Sequence, residues 1–76
     1  MIFLTRTDPA KNINRFYLVR VAPDLFGGWS LSREWGRRGS PGKVSSRSFA
    51  GEQEAEKAAQ RSVRRRLQHG YIQHAA

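Results

Sequence analysis

Trp29-Ser30-Leu31-Ser32-Arg33-Glu34-Trp35 alternates more cleanly than any other stretch of this 76-residue chain. On an extended backbone Trp29, Leu31, Arg33 and Trp35 share one side, while Ser30, Ser32 and Glu34 take the other. This period of two marks a strand with unlike faces. Upstream, Phe16 to Val21 is apolar on both faces apart from Arg20 and reads as a central strand. Ala22 to Gly28, with a proline, an aspartate and two glycines, joins the two. Met1 to Thr7 alternates well enough for a further strand, and Asp8-Pro9-Ala10-Lys11-Asn12 reads as a turn. Downstream, Gly36 to Gly42 packs three glycines and a proline into seven residues, a compact turn. Lys43 to Phe49 is a serine-rich stretch that suits an edge strand.

From Glu52 the composition shifts to Glu, Gln, Ala, Lys and Arg, all good helix formers, until Gly70 ends the run. Gly51 is the expected N-cap. Glu52, Glu54 and Glu56 favour the positive helix start, and the arginines lie toward the negative end. At about 100° per residue, Ala55, Ala58, Ala59, Ser62, Val63 and Leu67 form one arc. Lys57, Arg61, Arg64, Arg65 and Gln68 fill the other side, which reads as a solvated face. Arg66 falls inside the apolar arc, where snorkelling near the helix end is the available explanation. The expected fold is α+β: a small antiparallel sheet of about four strands against one C-terminal helix, in a single domain over residues 1–76.

A chain this short is near the lower limit for one hydrophobic core, and it has no cysteine for disulfides or thiolate metal sites. His69 and His74 have no ligand partners nearby, so no metal and no cofactor are expected. No apolar run is long enough to span a membrane, and Met1-Ile2-Phe3-Leu4-Thr5-Arg6 is too short for a signal peptide. The expectation is a soluble, cytoplasmic protein, nucleoid-associated if it binds DNA. Fourteen Lys and Arg against six Asp and Glu give a net charge of +8, and eleven of the cations are arginine. The pI is near 11.4. Such a balance favours polyanionic partners. Guanidinium forks hold phosphates in fixed geometry, though an arginine-rich genome would give the same count.

Trp35-Gly36-Arg37 combines a flat ring, a residue without a side chain and a fork of donors, which suits a sugar–phosphate end. Asn14-Arg15-Phe16-Tyr17 stands upstream, Gly39-Ser40-Pro41-Gly42 follows, and the helical segment ends in Gly70-Tyr71. From about Asn14 to Tyr71 this order resembles the WGR domain, the module that poly(ADP-ribose) polymerases carry next to their catalytic region and that many small bacterial proteins consist of. The resemblance implies a binding module without catalytic chemistry of its own. It implies that Trp35 packs against the nucleotide at a DNA break. The arginine matching Arg37 helps link the polymerase module to neighbouring domains, so Arg37 stays open to either phosphate or a protein partner. Asn14 and Tyr17 match a run that serves strand packing. Tyr71 matches an aromatic near the DNA-contacting surface, although a contact capping the helix explains it equally well.

Each candidate has a plainer reading. Burial habits alone would put a tryptophan in the core; here Trp29 is assigned to the core and Trp35, at a glycine-flanked strand end, to the site. Arg37 on its own reads as a turn charge or as a partner of Glu34. Arg33, Arg38, Lys43 and Arg47 flank the loop as a basic rim, opposed only by Glu34. Gly39-Ser40-Pro41-Gly42-Lys43-Val44 fails as a nucleotide-phosphate loop, because the glycine spacing is wrong and Val44 cannot bind magnesium. No acid pair or activated nucleophile is apparent, so the chain reads as a non-enzyme without a small-molecule substrate. The expected site is Trp35, Gly36, Arg37, Arg33, Arg38, Lys43, Arg47 and Tyr71, binding DNA ends or breaks without sequence readout. RNA stays open as the nucleic acid. The competing expectation is a protein-interaction module that docks an acidic partner in a DNA-repair or regulatory complex.

Overall fold

Alternating and apolar stretches of this kind pair by burying one face in common. In the computed structural model, which describes residues 1–74, they do so as strands β1 (Ile2–Asp8), β2 (Ile13–Pro23), β3 (Trp29–Arg37) and β4 (Lys43–Phe49). Helix α1 (Glu52–Gln68) follows, and then a short strand, β5 (Ile72–His74). All neighbours are antiparallel, in the order β4-β3-β2-β1-β5, so the stretch read as central lies at the middle of the sheet. The class is α+β, with five strands where about four were expected. The fifth was missed because three residues after a helix carry no periodicity to read. It is real pairing rather than a loose tail: Thr5, buried in β1, shares a 2.6 Å hydrogen bond with the His74 ring, which lies 5.6 Å from the Phe3 ring.

Residues in direct register share a face. Leu4, Tyr17 and Trp35 are in register across three strands, and with Val19 and Leu31 they define the side on which α1 packs. Leu4, Tyr17, Val19 and Leu31 meet Ala58, Ala59 and Val63 of the helix, with Tyr71 closing one end. Two alanines at the contact let the helix axis approach the sheet closely, which a small core needs. Ile2, Val21, Trp35 and Phe49 flank this cluster. Trp29, expected in the core, instead sits half-buried at the outer start of β3, in register with Pro23 and Phe49. Leu67, at the end of the apolar arc, is 43% exposed. Among the described residues no helix is long and apolar enough to cross a membrane.

The helix begins after Gly51, which is extended, with Glu52 and Glu54 in its first turn. It ends in a left-handed glycine cap. Gly70 has φ +89°, its N–H donates to Leu67 O, and the Tyr71 N–H donates to Arg66 O. This pair of bonds satisfies two terminal carbonyls and turns Tyr71 back against the sheet. The final aromatic is thereby fixed on the same side as Trp35.

Candidate nucleic-acid interface

Gly36 was expected to open the turn, but it is still a strand residue, in register with Phe16. A Cβ at Gly36 would fall 2.8 Å from Gly42 Cα. One at Gly42, where φ is +74°, would meet the Trp35 carbonyl oxygen at 2.7 Å and the Phe16 ring at 2.9 Å. The two glycines let β3 and β4 close while the Phe16 ring lies over them on the face away from the helix. Because strand side chains alternate, Gly36 takes the far face, and Trp35 and Arg37 on either side of it both take the helix face. The motif thus sets Trp35 and Arg37 two residues apart on one face, with no side chain from Gly36 between them.

Arg37 is exposed yet positioned. Its two terminal nitrogens donate to the Asn12 backbone oxygen and to Asn12 Oδ1, both at 3.1 Å. Asn12 itself is left-handed, φ +54°, closing the short 3-10 turn of Pro9–Lys11 that precedes β2. Among the described residues these are its side-chain hydrogen bonds, which leaves the other donors of the guanidinium to a ligand. Glu34 lies on the opposite face, so the plainer reading of Arg37 as a partner of Glu34 is not met. Across the sheet, Arg6 is in register with Arg15, and Arg15 with Arg37. Three neighbouring strands therefore place arginines in one row on the helix face, beside Trp35. Like charges directly opposite each other on a sheet oppose folding, a cost that a bound anion would offset.

Behind the row, the Arg66 guanidinium lies 4.4 Å from the centre of the Tyr17 ring and 5.6 Å from that of Tyr71. This cation–π stacking explains an arginine inside the apolar arc of α1: its charge rests against the rings of Tyr17 and Tyr71. Trp35, half-buried, completes a cleft of about 440 Å³ with Asn12, Arg15, Gly36, Arg37, Arg66 and Tyr71.

The expected site residues are thus divided. Trp35, Gly36, Arg37 and Tyr71 come together in this cleft. Arg33 and Arg47 line a different one, between the helix and β3–β4. Arg38 and Lys43 are exposed and line neither; the Arg38 N–H holds the turn by donating to Asn14 O at 2.9 Å. Asn12, Arg15 and Arg66 were not singled out as site residues. Arg66 had a signal, its misfit in the apolar arc. Arg15 and Asn12 had none before the register of β2 on β3 was known. Among the described residues no three or more His, Cys, Asp or Glu side chains are grouped to hold a metal ion.

The family model described as the WGR domain matches residues 1–76. A relative, an uncharacterized protein y4dW of Sinorhizobium fredii, is 33% identical over 70 residues, or 92% of this chain and 34% of the relative. The chain therefore spans about a third of that relative's length.

Proposed function

The chain belongs to the WGR domain family, binding modules of a kind consistent with nucleic-acid binding, and we propose that it is a non-enzymatic module recognising DNA ends or breaks without reading base sequence. The observation that carries this reading is the in-register row of Arg6, Arg15 and Arg37 beside Trp35. An intact duplex offers phosphates to such a row but no open base face to the indole. A broken end offers both. The ring then stacks on the exposed terminal nucleotide while Arg15 and Arg37 take its phosphate with charge-assisted bonds. Backbone contacts position the DNA and carry no sequence information.

Titration of the purified chain with a short blunt DNA duplex, with an RNA of equal length and, separately, with an acidic polypeptide tests the reading. If about four to six phosphates are neutralised, log K falls with log salt at a slope of about −4 to −5. Binding to the polypeptide but to no DNA or RNA, even at low salt, would replace this function with docking of an acidic protein.

A further inference from the structure

Beyond the Trp35 end, we propose that the cleft between α1 and the β3–β4 edge is a second anion site, built for a run of consecutive phosphates. It has a volume of about 300 Å³, and Arg33, Arg47, Arg61, Arg65 and Arg66 all line it. Leu31 and Ala58 contribute apolar wall, and Ser62 adds a hydroxyl. No carboxylate borders it among the described residues. Strand alternation puts Glu34 on the far face, and Glu52, Glu54 and Glu56, nearer the helix start, are not among the lining residues.

The ordinary explanation for exposed helix arginines, a solvated face, fits Lys57 and Arg64, which line neither cleft. The helix dipole favours cations in the last turn and so accounts for Arg65 and Arg66. It does not account for Arg33, Arg47 and Arg61. On the helix, Arg61 follows Lys57 by four residues and Arg65 follows Arg61 by four, so like charges stack along one side. On the sheet, Arg47 is in register with Leu31, one step along from Arg33 on the same face. Two of the five are held in place: Arg66 by the tyrosines, and Arg47 with its guanidinium 5.0 Å from the Phe49 ring centre. Guanidiniums converging from two elements, with no acid to neutralise them, form a cradle for closely spaced anionic charge. The volume admits a chain of phosphates rather than a folded partner. Arg66 lines both clefts, so a phosphate chain held at one can continue into the other. The cleft stands as a site whether or not Trp35 stacks on a DNA end.

Calorimetric titration of the full chain with inorganic tripolyphosphate, at about 0.15 M salt where diffuse attraction is screened, tests this. One-site binding is expected, weakened at least about tenfold by Arg61→Gln with Arg65→Gln, as befits loss of charge-assisted contacts. The control Arg20→Gln with Arg64→Gln removes the same charge from exposed positions outside both clefts and leaves binding within about twofold. Arg37→Gln, which impairs DNA-end binding, leaves tripolyphosphate binding intact, so the two sites fail separately. Competition with an unphosphorylated single-stranded oligonucleotide identifies the source of the phosphates. Displacement of tripolyphosphate assigns the site to a nucleic-acid backbone, and simultaneous binding assigns it to a small phosphoanhydride. Absence of tripolyphosphate binding, or equal weakening by both arginine pairs, overturns the proposal; thermal melts confirm that each variant is folded.

Discussion

The Arg66 guanidinium lies 4.4 Å over the Tyr17 ring; both line the cleft between α1 and β3–β4, and Arg66 also lines the cleft beside Trp35. One contact therefore serves stability and charge placement together. Arg66→Leu keeps the apolar stem but removes the cation. We expect a loss of about 0.5–1 kcal/mol in chemical denaturation, the range of a partly exposed cation–π contact, with weaker DNA binding and a shallower salt slope. A variant as tight for DNA as the parent at every salt concentration would show that Arg66 is only structural.

Asn12 holds Arg37 through both its backbone and its side chain. Asn12→Gly retains the left-handed backbone and the carbonyl contact but deletes the amide. Stability is expected to change by less than about 0.5 kcal/mol, as for a surface substitution, while affinity for duplex ends drops several-fold because Arg37 is less ordered before binding. Melting and end-binding titrations of the same sample decide it. Unaltered affinity would mean that the guanidinium needs no such anchor.

Gly39 and Gly42 both have positive φ, +87° and +74°, but only Gly42 is crowded. Gly39→Ala should cost about 1–2 kcal/mol from the left-handed conformation alone. Gly42→Ala adds a collision with the Trp35 carbonyl and the Phe16 ring, and its cost should exceed that of Gly39→Ala by at least about 1 kcal/mol. Denaturant midpoints measure the difference. Equal costs would show that β3 and β4 do not depend on that close approach.

Trp29 and Trp35 share a strand face and are both half-buried, but only Trp35 lines the motif cleft. Replacing either with alanine is expected to cost about 2 kcal/mol, roughly half the value for a fully buried aromatic. Only Trp35→Ala should also abolish the preference for DNA ends, while Trp35→Phe retains part of it. An end preference unchanged in folded Trp35→Ala would remove the indole from the account.

The fold was legible where side-chain periodicity is strong. The alternation of β3, the doubly apolar β2 and the capped helix each state their own structure, and the strand boundaries 43–49 follow from composition alone. What was not legible depends on register. Glu34 looks like a neighbour of Arg33 and Arg37 in the chain, yet alternation sends it through the sheet. Arg6, Arg15 and Arg37 are far apart in sequence, and only pairing of three strands makes them a row. The placement of Trp29 in the core failed for a similar reason: it begins β3 in register with Pro23 and Phe49 and is only half-buried, and periodicity gives a side chain's face but not how far the helix covers it. The motif itself was visible; why its glycine must be a glycine emerges only when Gly42 and Phe16 arrive from elsewhere.

The central claim, that Trp35 and the arginine row recognise an end rather than DNA in general, is tested most directly by competition. Linear and nicked DNA are set against closed circles of equal nucleotide content, with 5′-phosphorylated and dephosphorylated ends compared. The account predicts that linear and nicked forms compete strongly and phosphorylated ends best, while closed circles compete weakly and lose nearly all affinity as salt rises and screens the diffuse attraction. Equal competition by all forms would contradict it and leave the chain a general polyanion binder.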